Sequence, residues 1–146
     1  MPTELEDLRA RVAALEAEAT RLRALLEATP DLVVRVATDG TYRDVMEARG
    51  MPLVARREDR VGRPVQDLLP LPIAAAYLRA VTAAVETGVT QAFEYELRLE
   101  GKTGYYEARA SRSGADEAVV LVRDVSERKR VELALERSET LLRTRP

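Results

Sequence analysis

The chain opens with a heptad pattern. Leu5, Leu8, Val12, Leu15, Ala19, Leu22 and Leu26 recur at alternating steps of three and four, the spacing that turns one apolar stripe of a helix toward a partner helix. With Leu5, Val12, Ala19 and Leu26 at a and Leu8, Leu15 and Leu22 at d, Glu4, Arg11 and Glu18 fall at g and Arg9, Glu16 and Arg23 at e. In a parallel pair each g residue meets the e residue five places on in the partner. The matches are then Glu4 with Arg9, Arg11 with Glu16 and Glu18 with Arg23, all of opposite sign. Exposed pairs of this kind contribute only about 0.3–0.5 kcal/mol each, so they select orientation and register more than they supply stability. A parallel, in-register homodimer is therefore expected. A helix packed on its own domain would explain the stripe but not the three matched pairs. Thr3 and Glu6 form a capping box at the start, and Pro30 forces Thr29 out of the helical region at the end.

Subtracting about 28 residues at the front and about 20 at the back leaves roughly 100, enough for one small domain with a modest core. The residue inventory narrows its chemistry. There is no cysteine and no histidine in 146 residues, which excludes disulfides, thiolate chemistry, histidine-ligated haem, a phosphoacceptor histidine, a Ser/His/Asp triad and the usual zinc sites. The net charge of −2 gives no general attraction to nucleic acid, and the Arg56, Arg57 and Arg60 cluster is interrupted by Glu58 and Asp59. Apolar runs such as 119–122 and 71–78 fall far short of the ~20 residues of a membrane span. The acidic start MPTELEDL does not read as a signal peptide. A cytoplasmic protein with no membrane or nucleic-acid partner is expected.

Between the terminal helices, extended runs at 32–37 and 41–46 flank Asp39-Gly40, a strong hairpin signal. The stretch 47–69 mixes Gly50, Pro52, a charged run, Gly62 and Pro64, which predicts short helical turns and loops. Ile73, Tyr77, Ala80, Val81, Ala84 and Val85 share one face of a helix that Gly88 is placed to cap. From 91 to 99, Phe93, Tyr95, Leu97 and Leu99 alternate with Glu94, Glu96 and Arg98, the period of a half-exposed antiparallel strand. Gly101–Gly104 is expected to turn into a strand over 105–112, and Ser113-Gly114 into one over 117–125. Ser126 is placed to cap a last helix reaching about Leu142, with a looser apolar stripe of Val131, Leu135, Leu141 and Leu142.

Four strings carry a family resemblance: LLEATPDLVVRVATDGTYRDV at 25–45, GRPVQDLLP at 62–70, FEYELRL at 93–99 and LVRDVSERK at 121–129. In that order and spacing they resemble the PAS sensor domains of bacterial signalling proteins. The last is similar to the Asp-hydrophobic-Thr/Ser-Glu-Arg signature that hands over to an output helix, with Asp124, Ser126 and Glu127 in the matching places. The resemblance implies an α+β fold: a PAS-like five-stranded antiparallel sheet with short helices and one longer helix on one face, flanked by N- and C-terminal helices. The expected organisation is a coiled-coil helix over 3–29, a PAS domain over 30–125 and an output or linker helix over 126–146.

Members of this family that form a flavin adduct, attach a chromophore through a thiol or hold haem through histidine need residues absent here. A non-covalent small molecule, a non-covalent flavin or no ligand at all remain. A pocket would be lined by Met46, Met51, Leu53, Leu68, Ile73, Tyr77, Phe93, Tyr95 and Leu97, although apolar and aromatic residues at such spacings serve equally as plain core, the reading they favour by themselves. Arg109 and Arg123 are of the type that forks onto an anionic ligand, and are better placed to pair with Glu94, Glu96 or Glu107 across neighbouring strands. Glu94 and Glu96 share a strand face like an acid/base pair, and a solvated face gives the same pattern. No catalytic or metal-binding residues are assigned.

The expected function is a non-enzymatic sensory and dimerisation module that couples the coiled coil to the output helix, with Leu5, Leu8, Val12, Leu15, Ala19, Leu22 and Leu26 at the dimer interface and Asp124 and Ser126 as relay. The ending ERSETLLRTRP suggests that a downstream effector domain follows. A ligand-free structural connector and a small cup-shaped α+β enzyme are the alternatives.

Overall fold

The structure, a computed structural model, describes residues 1, 3–29, 31–47 and 56–144. They form two compact units, Met1–Pro30 and Asp31–Pro146. The first is one helix, α1, Glu4–Ala28. Its start is capped reciprocally: the Glu6 N–H donates to Thr3 Oγ1 and the Thr3 N–H to Glu6 Oε2, both at 3.2 Å. At its end Thr29 is extended, with ψ 143°, as a residue before proline must be. No residue of α1 is buried. Leu15 keeps 70% of its surface exposed and Leu8 57%.

The second unit runs β1 (Leu32–Ala37), β2 (Tyr42–Met46), α2 (Arg57–Arg60), a 3-10 turn (Val65–Asp67), α3 (Leu71–Thr87), β3 (Gln91–Leu99), β4 (Lys102–Gly114), β5 (Glu117–Asp124) and α4 (Ser126–Thr144). The five strands form one sheet in the order β2-β1-β5-β4-β3, every neighbouring pair antiparallel. This is the α+β architecture that the resemblance implies. The first hairpin turns at Asp39-Gly40. Asp39 Oδ1 accepts the Thr41 N–H at 2.9 Å, and Gly40 supplies a φ of +92° that a side chain would resist.

The β3–β4 turn differs from the expected one at Gly101–Gly104. Glu100 and Gly101 turn the chain with φ of +51° and +77°, so that Leu99 pairs directly with Lys102. A two-residue hairpin with both central residues at positive φ matches the twist of the strands it joins. Gly104 therefore lies inside β4. A Cβ there would stand 2.5 Å from the Tyr106 hydroxyl, so the glycine makes room for that ring.

Alternation along the strands separates two faces. The inner one carries Leu32, Val34 and Val36 of β1, Ala118, Val120 and Val122 of β5, and Tyr106, Ala108 and Ala110 of β4, all buried in one cluster. α3 covers it with Ala74, Tyr77, Ala80, Val81 and Ala84, and Gly88 ends that helix in the left-handed region, φ +71°, as its position predicts. Alanine on both sides allows close approach between helix and sheet. Val36, Val81 and Val120 are fully buried, contributing about 1.5–3 kcal/mol each. On the outer face Glu94 lies opposite Glu107. Arg128 of α4 stands 3.7 Å from each of them. Among the described residues no helix is long and apolar enough to cross a membrane.

Candidate functional site

Part of the interior under α3 is polar, and the route to it begins on β2. The Tyr42 N–H donates to the Arg63 carbonyl at 3.0 Å and the Gly62 N–H to the Tyr42 carbonyl at 2.8 Å, which lays the segment after α2 along the free edge of β2. Arg57 holds the other end of α2, donating to Asp44 Oδ1 at 2.7 Å and to the Val45 carbonyl at 3.2 Å. With both ends held, Glu58 and Asp59 of this one-turn helix face solvent and Arg60 turns inward. It retains 4% exposure, and its guanidinium carbon lies 5.6 Å from the centre of the Tyr42 ring, within cation–π range.

Opposite Arg60 stands an aromatic cluster. Tyr77 of α3 meets Phe93 edge-on at 5.1 Å and Tyr95 at 5.7 Å, and Tyr95 stacks on Tyr106, its cross-strand partner, at 5.4 Å. The Tyr77 and Tyr95 hydroxyls are 2.8 Å apart. Burial pushes the phenols of Tyr42, Tyr77 and Tyr95 above their ordinary value, and the positive charge of Arg60 opposes the rise in all three. Between Arg60 and these rings lies a cavity of about 20 Å3, room for a single water. Leu32, Leu69, Leu97, Leu99 and Val122 complete its lining.

Of the nine residues expected to line a pocket, Tyr77, Tyr95 and Leu97 do so. Phe93 packs on Tyr77 outside it, and Leu68 and Ile73 lie at the margin of the core. Met46 is on the other face: it pairs with Val33, which alternates with the inward Leu32 and Val34. Met51 and Leu53 lie outside the described residues. Arg60, Tyr42 and Tyr106 were not legible as lining. Tyr42 and Tyr106 sit in strands with the right alternation, whereas nothing in a run of exposed charges distinguishes Arg60.

The expected cross-strand pairing of Arg109 and Arg123 is replaced by a different one. Arg109 bonds Glu107 along its own strand at 3.1 Å. Arg123 faces Glu107 in register but forks onto Asp31, at 3.3 and 3.2 Å. Asp31 is 5% exposed, and a buried carboxylate requires a counter-charge more than an exposed one.

Asp124 and Ser126 stand where β5 passes into α4. Ser126 does not cap its own helix with its hydroxyl. Asp124 Oδ1 accepts the Ser126 N–H at 2.9 Å, which frees Ser126 Oγ to accept the Tyr105 N–H at 2.9 Å. The Val125 N–H donates to the Tyr105 carbonyl at 2.8 Å. β4 is thus bonded to the first residue of α4 after its pairing with β5 has ended.

The family model described as PAS fold matches residues 26–130. The chain belongs to the PAS family. No curated protein matches it significantly. Among solved structures it is similar to the PAS domain of an HTR-like protein from Haloarcula marismortui, with 23% identity, 80% of this chain and 98% of that one covered, and a TM-score of 0.57. A domain of the sensory box sensor histidine kinase/response regulator from Geobacter sulfurreducens is similar at 22% identity, 75% and 96% coverage and a TM-score of 0.60. The PAS domain of the Cronobacter turicensis RpfR quorum-sensing receptor in complex with C12:0 is similar at 15% identity, 66% and 95% coverage and a TM-score of 0.55. At these identities the likenesses establish the PAS fold.

Proposed function

We propose that this chain is the sensory and dimerisation module of a cytoplasmic signalling protein. A small molecule in the tyrosine-lined cavity is its input and the pose of α4 its output. The observation that carries the reading is adjacency: Tyr106 lines the cavity, while the residue before it, Tyr105, is bonded through both its N–H and its carbonyl to the start of α4. A ligand that prefers one packing of the cavity shifts α4 only by its differential affinity for the two arrangements.

The second copy is read from α1, whose heptad stripe is exposed in the single chain. A 25-residue helix with nothing buried gains the packing that stabilises most helices only from a partner. Replacing Leu15 and Leu22 by Ala should convert a micromolar dimer to monomer while the circular dichroism of the sheet domain persists. An unchanged dimer mass would sink the coiled-coil assignment.

A second reading, a ligand-free connector that only pairs and spaces helices, is favoured by the water-sized cavity. Native mass spectrometry of the purified chain separates the two. A dimer carrying extra non-covalent mass supports the sensor, and a dimer at the bare chain mass, unchanged after exposure to small molecules, supports the connector.

A further inference from the structure

We infer that the cavity receives the carboxylate head of a small amphipathic acid, taken up by Arg60 and the Tyr77–Tyr95 hydroxyl pair, with its apolar body along Leu97 and Leu99. This rests on the sensory reading above and names the class of ligand it would sense.

Each polar side chain of the described lining can donate a hydrogen bond, and none carries a negative charge. Arg60 carries five N–H groups in a rigid fork, enough to serve a protein partner and a ligand together. The Tyr77 and Tyr95 hydroxyls share one hydrogen bond, which uses one of their two protons and leaves the other to offer. No Asp or Glu is among the described residues of the lining. A cation with phenol donors and no carboxylate is complementary to an acceptor of negative charge. A carboxylate fits a guanidinium fork in two parallel hydrogen bonds.

The rest of the lining is aliphatic, and it leads outward. Leu97 is nearly buried opposite Gly104, over which the Tyr106 ring lies. Leu99, two residues on and on the same face, is half-buried. An apolar body attached to a head at Arg60 would follow these two leucines to the surface beside the β3–β4 turn. The cavity admits one water as it stands, so the head takes the place of that water and the body parts the leucines.

The test is an NMR titration of the full chain near neutral pH with octanoate and benzoate, each against its neutral amide. Expected is binding of at least one acid that shifts the Tyr77, Tyr95 and Leu97 resonances. Its amide should bind roughly tenfold or more weakly, the value of a charge-assisted hydrogen bond. Octanoate over benzoate would identify an alkyl acid as the source, and the reverse an aromatic one. Arg60→Gln should remove the preference for acid over amide. Because Arg60 is buried and that variant could unfold, Tyr95→Phe supplies a second comparison and should weaken the acid alone. Equal binding of acid and amide, or a neutral molecule retained by the purified chain, would overturn the ligand class and leave the sensory reading standing. If neither acids nor amides reach the cavity and nothing is retained, both fall.

Discussion

Two parts of one core are built on opposite plans. Where α3 crosses the middle of the sheet, Ala80, Ala84, Ala108, Ala110 and Ala118 are buried among valines, with no polar side-chain atom and no slack. Toward β2 and the end of β3 the same layer holds Tyr42, Tyr77, Tyr95, Tyr106 and Arg60 around a small space. The alanine part fixes the distance between helix and sheet. The tyrosine part supplies hydrogen-bonding groups, an internal charge and room. α3 spans the two parts, with Tyr77 on one side and Ala84 on the other.

Alkaline pH should break the contrast most widely, since it attacks the tyrosine part alone. Tyr42, Tyr77 and Tyr95 are held neutral by burial above their ordinary value of 10.0. Their contribution is present in full below about pH 10 and is lost as pH rises toward the raised folded values, because the unfolded chain ionises first. Tyrosinate absorbance should therefore grow together with loss of circular dichroism. Growth well ahead of unfolding would show that these phenols are open to solvent.

Overfilling the alanine part is next in size. Ala110→Leu inserts three carbons beneath α3 where Ala110 has no exposed surface, and should cost about 3 kcal/mol in denaturant unfolding. A cost within about 0.5 kcal/mol would mean that the helix can lift and that the two parts are not distinct. Tyr77→Phe removes one hydroxyl from a pair at 2.8 Å and should cost about 1 kcal/mol, less than the alanine change because the cavity tolerates rearrangement. The smallest effect belongs to the surface. Arg57 holds the Asp44 carboxyl below its ordinary value of 3.8. That support is present above pH 3.8 and is lost as pH falls through the lowered folded value. Asp44→Asn should flatten only the acid limb of the stability profile.

The alanine part was legible in the sequence because period carries it. The helical spacing of Tyr77, Ala80, Val81 and Ala84 and the alternation of Phe93, Tyr95 and Leu97 fix which face is inward. The Asp39-Gly40 and Gly88 signals place their turns because each needs a conformation that few other residues adopt. The tyrosine part was half legible. Tyr77, Tyr95 and Leu97 follow from the same periods, but Met46 fell on the wrong face, because a register shift between Arg35 and Val36 is invisible in a local pattern. Nothing in the sequence marks Arg60 as buried, since its burial depends on contacts of α2 with a strand more than ten residues earlier. The position of Ser126 predicts a helix cap, and its hydroxyl instead serves Tyr105, a contact across 21 residues that no local rule contains.

That last contact has a mechanical consequence. One residue, the buried Val125, separates β5 from α4, and its N–H is tied to β4, so there is no slack joint in which a movement of the sheet could be absorbed. The 19 residues of α4 make an arm about 28 Å long. A tilt of about five degrees at its root moves the far end by about 2.5 Å. By this geometry a small change in strand pose at the root would become a displacement on the scale of a side-chain contact at the tip.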